Sequence, residues 1–173
     1  MTKHDNERNK KRITRLTTAG VLVALAFILS YLESLLPSFT GVPGVKPGFA
    51  NIAVMCALYA LGGRIAVAVA LVRVVLSGFM FTGMNAMLYS LAGSAFSLII
   101  MLLLRSTDKF SVPAVSIAGA VAHNAGQILL ACLMLGKAVL YYLPVLIISG
   151  SIAGLVIGII SAFLIPRISS HIS

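Results

Sequence analysis

Apolar residues run along this chain in six stretches, separated by short breaks rich in glycine, proline or charge. Five of them, Leu16–Leu36, Ile65–Phe81, Met84–Leu104, Val112–Leu135 and Val139–Ile165, hold 17 residues or more. That is about the length a helix needs to cross some 30 Å of hydrocarbon at about 1.5 Å per residue. The sixth, Phe49–Leu61, has 13 residues and reaches about 20 Å as a helix. It therefore crosses at a thin place or begins in backbone enclosed by protein. The breaks punctuate the pattern. Pro37 ends the first stretch, Gly62-Gly63-Arg64 and Thr82-Gly83 turn the chain, Arg105–Ser111 is a polar loop, Gly136-Lys137 makes the next turn, and Pro166-Arg167 stops the last. The longest break, Ser38–Gly48, carries three glycines and two prolines in 11 residues; a loop of that length in so economical a chain points to function. The predicted fold is an all-α integral membrane protein, a bundle of six transmembrane helices in a single domain over residues 16–166, with tails at 1–15 and 167–173.

Composition agrees with the pattern. The 173 residues are 60% hydrophobic and 10% charged, with mean hydropathy +1.06, whereas soluble domains carry about a quarter charged residues. The net charge of +9 suggests nucleic acid at first sight, but six of the 13 basic residues precede the first span, where they orient it in the bilayer. With the N-terminus in the cytoplasm, six crossings put ten basic residues inside, Lys46 and Lys137 outside, and Arg73 within the membrane. That distribution follows the positive-inside rule and predicts a multi-pass protein of a bacterial plasma membrane with both termini cytoplasmic and no nucleic-acid partner. No cleavable signal pattern is present, so the first apolar stretch is expected to remain as a helix. Cys56 and Cys132 lie singly in apolar helices and read as small hydrophobes.

The candidate chemistry lies in polar residues at membrane depth. Arg73 and His123 fall near the middle of their helices, and His123 and Gln127, four apart, share a face with Asn124 about 100° round from His123. Polar side chains at that depth turn to the protein interior, where they join helices or contact a ligand. The chain's only acids are Asp5, Glu7, Glu33 and Asp108, and Glu33 stands near the outer end of the first helix. Arg73 is therefore expected to lack an acidic partner at its own level, leaving an anionic or carbonyl-bearing ligand as its partner or, failing that, backbone carbonyls with Asn124 or Gln127. Lys46, Glu33 and Asn51 border the same side, Asn51 at a helix start whose free N–H groups suit an anion. With no second histidine in the membrane, His123 is not expected to hold a metal or haem. Gly20 and Ala24 form a small-xxx-small pair on the first helix. Gly150, Gly154 and Gly158 form a stripe on the last, which permits close helix packing.

Enzymatic provision is sparse. No Walker nucleotide motif occurs, and no pair of neighbouring helical carboxylates could hold Mg²⁺ against a diphosphate; a non-enzymatic role is expected. The stretches Val45–Ile52 (VKPGFANI), Ala57–Gly62 (ALYALG), Leu71-Val-Arg73, Ser90-Leu-Ala-Gly93, Ala118–Gln127 (AGAVAHNAGQ) and Tyr141–Pro144 (YYLP) together resemble the Gx transporter family, whose members often carry the description heptaprenyl diphosphate synthase component I. Phe49 stands where leucine is expected. The resemblance implies a fold similar to the substrate-binding S-components of energy-coupling factor transporters. A small-residue face of helix one, here Gly20 and Ala24, would dock on a transmembrane coupling subunit driven by ATPases, and ligand would lie beneath the loop after helix one. The first expectation is a small-molecule-binding transport subunit with Arg73, His123, Asn124, Gln127, Lys46, Asn51 and Glu33 at its site. The alternatives are a non-enzymatic membrane subunit of quinone or flavin redox metabolism with a membrane-anchored redox partner, and an accessory component of heptaprenyl diphosphate synthesis. The redox alternative implies a flavin or quinone; because the flavin-acceptor pattern, an Asp-Gly pair followed by Ser/Thr, is missing from this chain, any flavin would be non-covalent or on a partner.

Overall fold

The computed structural model describes residues 3–36 and 48–172. Within them the chain is helical, with no strand among the described residues. The elements are α1 (Lys3–Leu35), α2 (Ala50–Leu61), α3 (Gly63–Thr82), α4 (Met84–Ser106), α5 (Val112–Leu135) and α6 (Leu143–Ile172), the last preceded by a 3₁₀ turn at Lys137–Tyr142. Five of these segments are long and apolar enough to cross a membrane; α2 is shorter. Short turns make α2 to α6 alternate in direction, and α1 runs against α2, with Glu33 at the start of α2 and Arg15 at its end, so the start of α1 and the end of α6 lie at one end of the bundle.

Two boundaries differ from the hydropathy reading. Helix α1 starts at Lys3, so the basic tail is helical. Lysine, arginine and glutamate are good helix formers, and Glu7 lies four residues before Lys11, a favourable spacing. Helix α6 runs through Pro166 to Ile172 and takes in the residues assigned to a tail. A proline there removes one intrahelical hydrogen bond without ending the helix. Lys46 and the Gly/Pro loop up to residue 47 lie outside the described residues.

The short α2 is the centre of the bundle. Every residue from Ile52 to Leu58 is buried, and the helix packs against α1, α3 and α6. A helix apolar all round needs protein or lipid on every side; this one is covered by protein. It ends in a π-type turn in which Gly62 N–H donates to the Ala57 carbonyl, and α3 ends the same way, with Gly83 N–H donating to Gly78. Gly62 (φ 103°) and Gly83 (φ 84°) have positive φ and near-extended ψ, a region open almost only to glycine. This allows α3 and α4 to start at the next residue.

Two arginines close the free carbonyl end of α2. Arg15 Nη2 donates to Leu61 O at 2.8 Å; Arg105 donates through Nη1 to Leu58 O and through Nη2 to Tyr59 O, with its guanidinium 5.0 Å from the Tyr59 ring centroid. Helix C-termini carry unsatisfied carbonyls and partial negative charge, so cations there are stabilising. Hydrogen bonds to a charged donor contribute about 1.5–3 kcal/mol each. Arg105→Met is expected to lower unfolding stability by about 2 kcal/mol, while Lys109→Met, at an exposed site, changes it by less than about 0.5 kcal/mol. Unfolding of the purified proteins in detergent measures both.

Glycines bring α5 close to α4 and α6. A Cβ on Gly126 would lie 2.8 Å from Ala92 O; on Gly154, 2.8 Å from Ile117 Cα; on Gly158, 2.5 Å from Pro113 Cα. Opposite these contacts the surface is apolar, with Leu133, Ile148, Ile152 and Phe163 well exposed, as a lipid-facing surface requires. Gly20 and Ala24 also lie on the exposed side of α1, and a Cβ on Gly20 would meet nothing within 4 Å.

Candidate functional site

The half of the bundle away from the start of α1 and the end of α6 holds a partly open cavity of about 530 Å³. Arg73, His123, Asn124, Gln127, Asn51 and Glu33 all line it, brought together from four helices. Thr82, Val139 and Tyr142, beside the far turns, line it too, so it reaches from the middle of the bundle to the far end. Below it the space is filled by apolar residues such as Leu58, Val115 and Met101.

Arg73 reaches the cavity because Ala66, Val69, Ala70, Val74 and Ser77 form the buried face of α3, while Leu71, Val72, Val75 and Leu76 are exposed. Its Nη1 donates to Ser30 Oγ at 3.4 Å and its Nη2 to Asn51 Oδ1 at 3.5 Å, both long for such bonds. Its Nε is buried without a partner among the described residues.

From the sequence Arg73 is expected to lack an acid at its own level; Glu33, only 7% exposed, lines the same cavity. Its carboxylate also accepts a hydrogen bond from Phe49 N–H. The start of α2, expected to offer free N–H groups to an outside anion, is thus served in part by an anion of the protein itself. Asn51 N–H donates to Gly48 O at 2.9 Å, so Asn51 contributes its side chain alone.

Helix α5 supplies the other half of the floor and uses two faces to do it. His123 and Gln127 pack over Gly93 of α4, where a Cβ would lie 2.8 Å from His123 Nε2 and 2.9 Å from Gln127 Cγ. Asn124 turns towards α6 and lies over Gly150; its Nδ2 donates to Leu146 O at 2.6 Å. Among the described residues neither His123 nor Gln127 has a hydrogen-bond partner in the protein. Sequence reasoning passed over Ser30, Ser77, Tyr89 and Ser149, which also line the cavity. Only Ser77, one turn beyond Arg73 on an otherwise apolar helix, carried a local signal.

The apolar outer surface and polar cavity floor define a multi-helix membrane protein with a cavity in its distal half. The chain belongs to the family described as heptaprenyl diphosphate synthase component I, which matches residues 22–164 and so spans part or all of each of the six helices. This is the family known by the Gx transporter name. No curated protein and no solved structure matches the chain.

Proposed function

We propose that this protein is the substrate-binding membrane subunit of a transporter energised by partner subunits, capturing a small molecule from the outer side of the plasma membrane. The observation that carries the reading is the distal cavity. Its 530 Å³ falls within the range of small-molecule sites, and it gathers a cation, a carboxylate, an imidazole and three amides at its floor. In this reading all six helices cross the bilayer, the termini are cytoplasmic, and the cavity opens outward. The exposed Gly20 and Ala24 face of α1 is the docking surface for a transmembrane coupling subunit that carries the ATPases. Helix approach at small residues supports such a contact.

The family description suggests prenyl diphosphate chemistry. Among the described cavity residues a single guanidinium stands beside a carboxylate in the lining, a poor match for a multiply charged diphosphate, and the acid pair that would hold Mg²⁺ is missing from the sequence. Binding is therefore the better-supported role than catalysis. The test is mass spectrometry of small molecules released from protein purified in mild detergent, comparing wild type with Gly93→Ala. The added methyl crowds His123 and Gln127, so the released ligand should fall about tenfold, the equivalent of about 1.4 kcal/mol, with folding retained because the crowded atoms belong to side chains that border the cavity and not to backbone. A wild-type protein that releases nothing counts against the proposal, as does a variant that keeps its full load.

A further inference from the structure

Buried polar atoms left without a partner are rare in folded proteins, and each one asks for a reason. Among the described residues four side-chain atoms are in that position: Tyr59 Oη, Arg73 Nε, Ser77 Oγ and Ser161 Oγ. Two of the four belong to residues that line the distal cavity, Arg73 and Ser77, and these stand one turn apart on the same face of α3. Tyr59 and Ser161 do not line it.

A serine or threonine inside a helix often gives its hydroxyl proton to the carbonyl four residues back, as Thr14, Thr18 and Ser151 do here at 2.8–3.0 Å. Ser77, only 7% exposed, makes no such bond. The nearby Thr82 hydroxyl is spent on the backbone, donating to Ser77 O at 3.1 Å, and so leaves Ser77 Oγ alone.

Arg73 is loosely held. Its two terminal nitrogens reach Ser30 Oγ and Asn51 Oδ1 at 3.4 and 3.5 Å, beyond the usual length for such bonds, so the guanidinium gives up little by turning to a new partner. Its Nε–H can only donate, and a serine hydroxyl can donate as well. A group that satisfies both from the cavity must therefore bring an acceptor. Side chains four apart on a helix are neighbours, with about 5–6 Å between their Cβ atoms, a span that one carbonyl or carboxylate group can bridge. Val74 and Ile128, also in the lining, are apolar and give the body of a bound molecule van der Waals contact instead of a competing bond.

We infer that α3 carries an acceptor-binding subsite: an oxygen of the bound molecule, in a carbonyl or carboxylate group, lies against α3 between Arg73 and Ser77 and takes hydrogen bonds from both, which makes Ser77 a ligand contact. This assignment rests on the binding-subunit reading. Its test is thermal unfolding of the purified full chain in detergent with 2-naphthoate, 2-acetonaphthone and naphthalene, which share one ring system and carry a carboxylate, a neutral carbonyl and no acceptor. Either the carboxylate or the ketone, according to which form of acceptor the subsite takes, is expected to raise Tm by about 3 °C, and naphthalene by less than about a third of that. Ser77→Ala is expected to remove the rise while the probe-free Tm stays level or climbs, because the change deletes an unpaired buried hydroxyl. Ser161→Ala deletes one that is away from the cavity and is expected to keep the rise. A naphthalene shift equal to the larger of the other two overturns the subsite, as does no shift with any probe or loss of the rise in Ser161→Ala. So does a Ser77→Ala protein that keeps the rise, or one whose probe-free Tm drops by more than about 3 °C, because the hydroxyl then serves the fold. None of these outcomes touches the binding-subunit reading, which falls instead if the wild-type protein releases no small molecule in the mass spectra.

Discussion

Replacing Arg73 by methionine is expected to destabilise the protein by about 3 kcal/mol, in the range for removing one partner of a buried charge pair, while a second change, Glu33→Gln, recovers most of the loss. Arg73 stands mid-helix in a chain that spans lipid, where a lone cation is costly. In the folded bundle it shares one cavity with Glu33 and makes long hydrogen bonds to Ser30 and Asn51. Methionine fills much of the same volume and removes the cation that shares the cavity with the Glu33 carboxylate. Glutamine at position 33 removes that charge yet keeps an oxygen able to accept from Phe49 N–H, the bond the carboxylate makes now. The double variant should therefore sit well above the sum of its parts, with a coupling energy of about 1–3 kcal/mol. A double-mutant cycle of unfolding in detergent measures it, and additive losses would mean that the two side chains do not support one another.

That pair also shows where sequence reasoning ends. The depth of Arg73 and His123, and the shared face of His123 and Gln127, follow from helical periodicity, and the structure places these residues around one cavity. The turns at Gly62, Gly83 and Gly136 were legible because a glycine between two apolar runs admits the positive φ a tight reversal needs. Glu33 and Arg73 are 40 residues apart, on helices whose relative height no local pattern records, so their meeting was not. Hydropathy marks where lipid begins and not where hydrogen bonding stops, which is why α1 extends back to Lys3 and α6 past Pro166. Helix α2 was ambiguous for a related reason. An all-apolar helix reads alike whether lipid or protein surrounds it, and only its short length hinted at the central position that its burial now shows. Arg15 and Arg105 counted simply as orientation charges, although both also donate to the carbonyl end of α2.

Gly158→Ala is expected to be among the most damaging single-methyl additions in the protein, lowering stability by about 1–3 kcal/mol as overpacking does, although alanine is the better helix former by about 1 kcal/mol. The new Cβ would lie 2.5 Å from Pro113 Cα and 2.9 Å from Ser116 Cβ. A flexible side chain could swing away; a proline Cα in the first turn of α5 cannot move without shifting the helix. Moving α5 shifts His123, Asn124 and Gln127 together, because all three ride on it, so the loss of stability should come with weaker ligand retention even though residue 158 lies outside the cavity. Gly20→Ala is the matched control, with nothing within 4 Å of its Cβ; there the helix propensity acts unopposed, and stability should stay level or rise by up to about 1 kcal/mol. Unfolding in detergent and quantitation of released small molecules report on both substitutions. In an apolar bilayer, helices gain little from burying greasy surface against one another and depend instead on close van der Waals fit. The difference between these two alanines therefore measures how far close packing of α5 against α6 holds the cavity floor in place.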